Sequence, residues 1–537
     1  MSIKSKTFPG LVAAGLILAF VIAAISALLL QSPDLNLAFI WQDPYYRHVT
    51  AFSFYQSFLS TILSIGLAIP IAHSLSRRAF FGKKLLLDLF ATTLVLPVLV
   101  GVFGLLSIYG NSGIIAQLLA MVDQKLPFSI YGLNGILLAH LFFNVPFATR
   151  LLLQSLQSIP VEHHKLSIHL GISHWNKFKL VEWPCLRQQL PHVCGLVFML
   201  CFTSFATVMA LGGGPKSTTI ELAIYQAIKF DFDLQSGALL ALWQMLLCGC
   251  IAIIIQRFSR PIPVGSGAVN YRFPLFNDSK FNRCWDAGWI AIALILVIPP
   301  LISIIINGIN SKFIDVLTGA FFWDALKNSL IVAIFAASIA LIAGLFILIT
   351  SRSWRLLGLN FRADKLELIA TIILVTPGLV ISTGLFLLLR NITDIFSMAI
   401  VIVIAVNALM ALPYVIKTLA QPMLHIAQQY DQLCASLGMV GFSRFYQVEW
   451  RAIRQPIVHA FSISFVLSMG DLSAIALFGS QDFRTLPLYL FQLLGSYQME
   501  SAAVVSLFLL VISVVIFMLV AKITINKQLI NKGGRQK

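Results

Sequence analysis

The chain has 537 residues, 58% of them hydrophobic and only 11% charged, with a formal net charge of +16. Soluble domains carry about a quarter charged residues, so a water-soluble globular enzyme is excluded, and the apolarity excludes low-complexity disorder. The basic balance alone would suit nucleic acid, but in so apolar a chain the cations are expected at membrane boundaries.

A helical span needs about 20 mostly apolar residues. Twelve stretches qualify, near 10–31, 53–75, 88–108, 131–154, 190–211, 236–257, 286–308, 326–350, 366–389, 396–416, 457–478 and 503–523. The first follows Lys4 and Lys6. Its apolar run is longer than that of a secretory signal, and Gln31-Ser32-Pro33 is a poor cleavage site, so it reads as a retained span. The runs are continuous rather than alternating, which predicts helices and not a β-barrel.

With the N-terminus in the cytoplasm and the spans alternating, 29 of the 37 Lys and Arg residues fall on the cytoplasmic side. They include Arg77, Arg78, Lys83 and Lys84, then Arg352, Arg355, Arg362 and Lys365, and the tail from Lys522 to Lys537. The other eight are Arg47, Lys125, Lys216, Lys229, Lys312, Lys327, Arg390 and Arg484. This is the positive-inside pattern, and it puts both termini in the cytoplasm. The charge therefore reports orientation and contact with anionic lipid headgroups, and no nucleic-acid partner is expected.

The chain repeats itself. Leu166, Leu170, Gly171, Phe178, Val181, Glu182, Trp183, Arg187 and Gln188 recur 267 residues later as Leu433, Leu437, Gly438, Phe445, Val448, Glu449, Trp450, Arg454 and Gln455. Pro97 and Gly104 answer Pro377 and Gly384, and Gln226 answers Gln492. The halves are 1–265 and 266–537, each with six spans. An even number keeps both in one orientation, as a parallel repeat whose axis runs along the membrane normal, with the path between the halves. The polar segment 258–285, with Pro261, Pro263 and Gly265, reads as the linker.

The repeated segments lie in two cytoplasmic loops, about 161–189 and 425–456. In each, a helical stretch stops at Gly171 or Gly438, a residue suited to a helix C-terminus. A short second helix then carries Phe178 or Phe445. Two such loops in pseudo-symmetric places suit a two-fold partner.

The loop resembles the signature of permeases of bacterial ABC importers, which reads Glu-Ala-Ala, three residues, Gly, nine residues, Ile, any residue, Leu-Pro. Gly171 and Gly438 match its glycine, Val181 and Val448 stand for its isoleucine, and Pro184 matches its proline. Lys165-Leu166-Ser167 and Gln432-Leu433-Cys434 replace Glu-Ala-Ala, keeping only a small third residue, and Arg451 replaces the second proline. Longer strings are similar to the thiamine branch of the fused, twelve-span permeases: Val181 to Gln189, Ala206 to Pro215, Thr218 to Gln226, and Ala476 to Gly479 with Asp482 to Pro487.

The resemblance implies an all-α polytopic membrane protein with the type I ABC importer permease fold. It implies ATPase coupling through Ser167, Leu170, Gly171, Phe178, Glu182, Trp183, Leu437, Gly438, Phe445, Glu449 and Trp450. It further implies an ATPase dimer on the cytoplasmic side, a periplasmic substrate-binding protein, thiamine or its phosphates as cargo, and location in the bacterial inner membrane. Ferric iron is the nearest rival cargo. A secondary transporter also has parallel halves, but it needs no twin docking loops and would be expected to carry more carboxylates in its spans.

No ATPase site is expected in the chain. Gly212-Gly213-Gly214-Pro215-Lys216-Ser217 lacks the P-loop spacing, with Pro215 and Ala210 where glycines are required, and reads as a turn. ATP and magnesium would belong to the partner. No catalytic constellation or metal-ligand spacing stands out, and the seven cysteines read as small apolar residues. His163, His164 and His169 read as solvated loop residues. His140, Asn144 and Asn407 are expected to hydrogen-bond between helices. The sharpest intramembrane group is Asp471, opposite Phe205 in the repeat. Charged groups in spans face interiors or paths, so Asp471, with Ser204, Thr207 and Ser473, is a candidate for the path of a cationic cargo; the competing role is a structural contact to Ser473 or the backbone.

Overall fold

The computed structural model describes residues 3–32, 37–124, 126–258, 279–371, 376–390, 395–439 and 441–533. Most of the expected linker, including Pro261, Pro263 and Gly265, lies outside these residues, as do Pro33 and Lys125. The side chains of Lys4, Lys6, Phe445 and the basic tail also lie outside the description.

The first half runs α1 Ile3–Gln31, α2 Leu37–Gln42, α3 Pro44–Arg77, α4 Lys83–Val95, α5 Val98–Tyr109, α6 Ile114–Ala120, α7 Leu133–Gln157, α8 Val161–His169, α9 His174–Lys177, α10 Trp183–Phe202, α11 Phe205–Leu211, α12 Ile220–Lys229 and α13 Leu234–Phe258. The second runs α14 Lys280–Gly308, α15 Phe313–Thr318, α16 Ala320–Leu356, α17 Asn360–Thr371, α18 Gly378–Arg390, α19 Ile395–Ser436, α20 Gly441–Arg444, α21 Trp450–Gly470, α22 Ser473–Phe478, α23 Leu486–Gly495 and α24 Met499–Gly533. One π turn precedes α10 (Phe178–Glu182) and another precedes α21 (Phe445–Glu449). No strand occurs among the described residues.

Among the described residues eleven helical segments are long and apolar enough to cross a membrane, against the twelve expected. The difference is the stretch 366–389. There α17 and the 13-residue α18 flank the undescribed residues 372–375. Its counterpart, 88–108, is also divided, into α4 and α5 at Leu96-Pro97. Proline has no N–H to continue the ladder, and Pro97 and Pro377 both stand at the start of the second piece. Two further expected spans are interrupted, α10/α11 at Thr203-Ser204 and α21/α22 at Asp471-Leu472.

Each half lends its first helix to the other. α1 packs on α16 and α18, and α14 packs on α5 and α3. Glycine makes both exchanges possible by letting helix backbones approach closely. A Cβ at Gly104 would lie 2.7 Å from the Pro300 carbonyl oxygen, and one at Gly384 would overlap that of Ala24. The Ser303 hydroxyl adds a 3.1 Å bond to the Gly104 carbonyl. At one end of the interface Asp286 of α14 is fully buried. It accepts hydrogen bonds from Arg77 and Arg78, each at 2.6 Å, and from Ser74. The resulting apolar core is continuous across both halves and includes Phe90, Phe142, Phe322 and Phe478.

Gly104→Leu is expected to destabilise the bundle by about 1–3 kcal/mol or more, since a filled close-packed contact must open. Gly66→Leu, where a Cβ meets nothing within 4 Å, should be near neutral. Thermal unfolding of the two variants in detergent checks the contrast.

Candidate coupling loops and central polar site

The twin loops share backbone geometry that follows from their glycines. In the first, the Ile172 N–H bonds the Ser167 carbonyl and the Gly171 N–H bonds the Ile168 carbonyl, both at 3.0 Å. This closes α8 as a Schellman motif, which needs a left-handed residue after the helix. Gly171 supplies it with φ +63°, and Gly438 has the same φ. The Met439 N–H bonds the Cys434 carbonyl at 2.9 Å in the second loop. Ser167 and Cys434 therefore occupy equivalent positions, two residues before the last helical residue, and both are buried. The small third residue of the signature is explained by that burial.

The fold departs from symmetry before the turn. Pro160 separates α7 from α8, whereas the corresponding Ala427 lets α19 run unbroken to Ser436. The loop's first helix is thus the end of a 42-residue helix in the second half.

The outward faces match. Leu166 and Leu433 are 58% and 53% exposed, and Leu170 and Leu437 are 65% and 64% exposed. Trp175, Leu180 and Tyr446 extend the apolar surface. Exposed apolar patches rimmed by polar groups mark interaction sites. Phe178 is half-buried between the rings of Trp175 and Trp183. His163 and His169 are exposed. His164 is half-buried, and burial together with the Lys177 ammonium lowers its pKa.

Glu182 and Glu449 turn the other way, into the protein. Each is the last residue of its π turn and is buried. Glu182 Oε2 lies 2.7 Å from His73 Nε2 at the end of α3, and Oε1 lies 3.7 Å from Lys177 Nζ. Glu449 accepts two bonds from Arg352 Nη2 at the end of α16, at 2.9 and 2.8 Å, and one from Arg444 Nε at 2.9 Å. Arg444 also bonds Asp431 at 2.6 Å. Burial opposes the charge on Arg444, but Asp431 and Glu449 raise its pKa overall. The sequence pattern found the two glutamates but not His73 or Arg352, which differ in residue type and lie outside the repeated segment.

At the far ends of α3 and α16 the same helices hold a second pair of elements. Ser53 Oγ accepts the N–H of Ile220, the first residue of α12, at 3.0 Å. Ser329 Oγ accepts the N–H of Leu486, the first residue of α23, at 2.7 Å. Each half therefore has a long helix with a loop glutamate at one end and a short helix at the other.

Near the breaks in α10/α11 and α21/α22 lies the central polar site. Ser204 Oγ donates to the Cys201 carbonyl and contacts His140 Nε2 at 2.9 Å, and His140 Nδ1 contacts Ser60 Oγ at 2.8 Å. Asn144 bonds Cys201 Sγ, and Asn407 donates to the Ser468 carbonyl. Thr207 is buried in α11. Asp471 Oδ1 accepts from Ser473 Oγ at 2.8 Å and from the Ser473 N–H, and Oδ2 accepts from the Ala474 N–H at 3.2 Å. It caps α22 while staying partly exposed. Asp471 is the C-terminal cap of α21, the place that Thr203 takes in α10. In the fold its place matches that of Thr203 rather than Phe205, since each is the C-cap of the longer helix and lies two residues before the shorter one. Among the described residues no three His, Cys, Asp or Glu side chains gather as a metal site. Gly213 and Gly214 take positive φ in a turn closed by Pro215–Ser217.

Three relatives match this chain almost end to end. It is 46% identical to the thiamine transport system permease protein ThiP of Salmonella typhimurium over 516 residues, 96% of each chain. It is 45% identical to the protein of that name from Escherichia coli, again over 96% of each. The Haemophilus influenzae protein is 40% identical, over 95% of this chain and 94% of the relative. This chain belongs to the thiamine transport permease family. A family model described as "binding-protein-dependent transport system inner membrane component" matches residues 356–524 of the permease, which contain the second loop. The duplicated helical bundle is accordingly a type I permease fold, and its members are transport subunits rather than enzymes.

The two glutamates should not be equally costly to lose. Glu449→Ala takes the carboxylate from the partly buried Arg352 guanidinium and leaves Arg444 with Asp431 alone, and is expected to cost about 3–5 kcal/mol. Glu182→Ala removes fewer contacts, one to the His73 ring and a 3.7 Å approach to Lys177, and should cost less. Hydrogen exchange of the loops and thermal unfolding check the order; an equal or reversed effect contradicts it.

Proposed function

We propose that the permease lies in the bacterial inner membrane with both termini and both loops in the cytoplasm. It receives thiamine, and thiamine phosphates, from a periplasmic binding protein and passes them inward. The energy comes from ATP, with magnesium, hydrolysed on a separate ATPase dimer. The observation that carries the cargo is near end-to-end identity with permeases named for thiamine transport. Orientation rests on the 29 of 37 basic residues that gather on the loop side.

Docking is assigned to the matched apolar faces of Leu166, Leu170, Leu433 and Leu437, with Trp175 on α9 of the first loop. Closure of the ATPase dimer would draw the loops together. Glu182 and Glu449 tie that movement to α3 and α16. From His73 to Ser53 the helix runs roughly 30 Å at 1.5 Å per residue, so motion at the loops reaches α12 and α23 near the opposite face. The path between the halves passes Asp471, Ser473, Ser204 and Thr207. A carboxylate there suits the thiazolium cation of thiamine.

Radiolabelled thiamine uptake into proteoliposomes tests the reading. Uptake should require the permease, the ATPase, the loaded binding protein and ATP together; uptake without the ATPase, or of iron in place of thiamine, overturns it. The docking assignment has its own test. Gly171→Val with Gly438→Val should abolish ATPase co-purification, because a β-branched residue resists positive φ, while Asn at both positions should retain it. Undiminished co-purification by the Val pair would remove the loops from the docking surface.

A further inference from the structure

Glu221 is the second residue of α12, 3% exposed, in a segment of the first half where the repeat has no acidic counterpart; the matching position is Pro487. Its carboxyl group accepts a hydrogen bond from the backbone N–H of Phe205, the first residue of α11, while burial and the like charge of Asp471 in the second half disfavour its ionised form. Its Oε2 is buried with no hydrogen-bond partner. Burying a carboxylate oxygen unpaired is unfavourable.

The surroundings place this oxygen at the junction of the halves. α12 packs directly against α22. Lys229, at the far end of α12, donates to the carbonyls of Leu477 and Gly479 at 3.1 and 3.2 Å, which locks the two helices side by side. Glu221 is thereby held beside the start of α22, where Asp471 sits. Asp471, Ser473, Thr203 and Ser204 are all partly exposed around the breaks, so the junction is accessible. The carboxylates arrive from different chain positions yet do the same local work. Glu221 caps the second piece of one broken span and Asp471 that of the other.

We propose that Glu221 and Asp471 together form an anionic station between the halves for an organic cation in transit, with Glu221 Oε2 as the group that the cation completes. The inference rests on the thiamine reading only for the charge of the cargo. Glu221 is a specificity residue of the path, and Asp471 supplies the facing charge.

The test uses the permease–ATPase complex in proteoliposomes with thiamine-loaded binding protein, reading radiolabelled thiamine moved per ATP hydrolysed. Glu221→Gln keeps an oxygen that accepts the Phe205 N–H but removes the charge. It is expected to lower that ratio about tenfold, the worth of one modest ionic contact, with assembly and melting temperature unchanged. Glu221→Asp should keep most of the ratio, and Glu221→Gln with Asp471→Asn should fall further than either alone. A ratio for Glu221→Gln within twofold of wild type overturns the proposal. So does loss of assembly in that variant, which would assign the carboxylate to capping alone. Wild-type complex that moves no thiamine sinks the cargo reading itself, a result distinct from any difference between variants.

Discussion

The arrangement depends on two buried carboxylates in equivalent places. Glu182 and Glu449 each leave a solvent-facing loop and enter the protein, where His73 or Arg352 at the end of a long helix meets them. A buried charge must be paired, so the loop cannot drift from that helix without a large penalty. This constraint turns a flexible connection into a rigid one. The π turns before α10 and α21 belong to the same device, since the inserted register aims the glutamates inward while the leucines stay outside.

The two clamps use different chemistry. The second half employs permanently charged guanidiniums, Arg352 and Arg444, with Asp431 completing a network. The first uses the imidazole of His73, with Lys177 more distant. Equal backbone turns at Gly171 and Gly438 thus sit on unequal foundations. The halves are alike in what they show a partner and unlike in how firmly they hold it.

Much of this is legible in the amino-acid sequence. Among the described residues hydropathy located eleven of the twelve expected spans, and the 267-residue repeat located the loops. The helix-ending glycines, Gly171 and Gly438, were legible because a helix stop is a local property. Long-range partners were not legible. His73, Arg352 and Asp286 depend on which helix ends meet, and Glu221 performs for α11 what Asp471 performs for α22 from an unrelated position in the chain. Comparison of repeats finds a recurring residue, not a recurring role filled by another. Broken spans also escaped hydropathy, since an apolar run reads the same on both sides of Pro97 or Asp471.

The exchange of first helices bears on how the protein is made. α1 emerges first, but its main partners, α16 and α18, lie roughly 300 residues downstream. At about 5–20 residues per second of synthesis, α1 waits on the order of a quarter of a minute to a minute in the bilayer before its Ala24 backbone can meet Gly384. A helix stable in lipid by its own hydrogen bonds can tolerate that interval. Biogenesis therefore finishes where it began: the last half delivered closes around the first helix inserted.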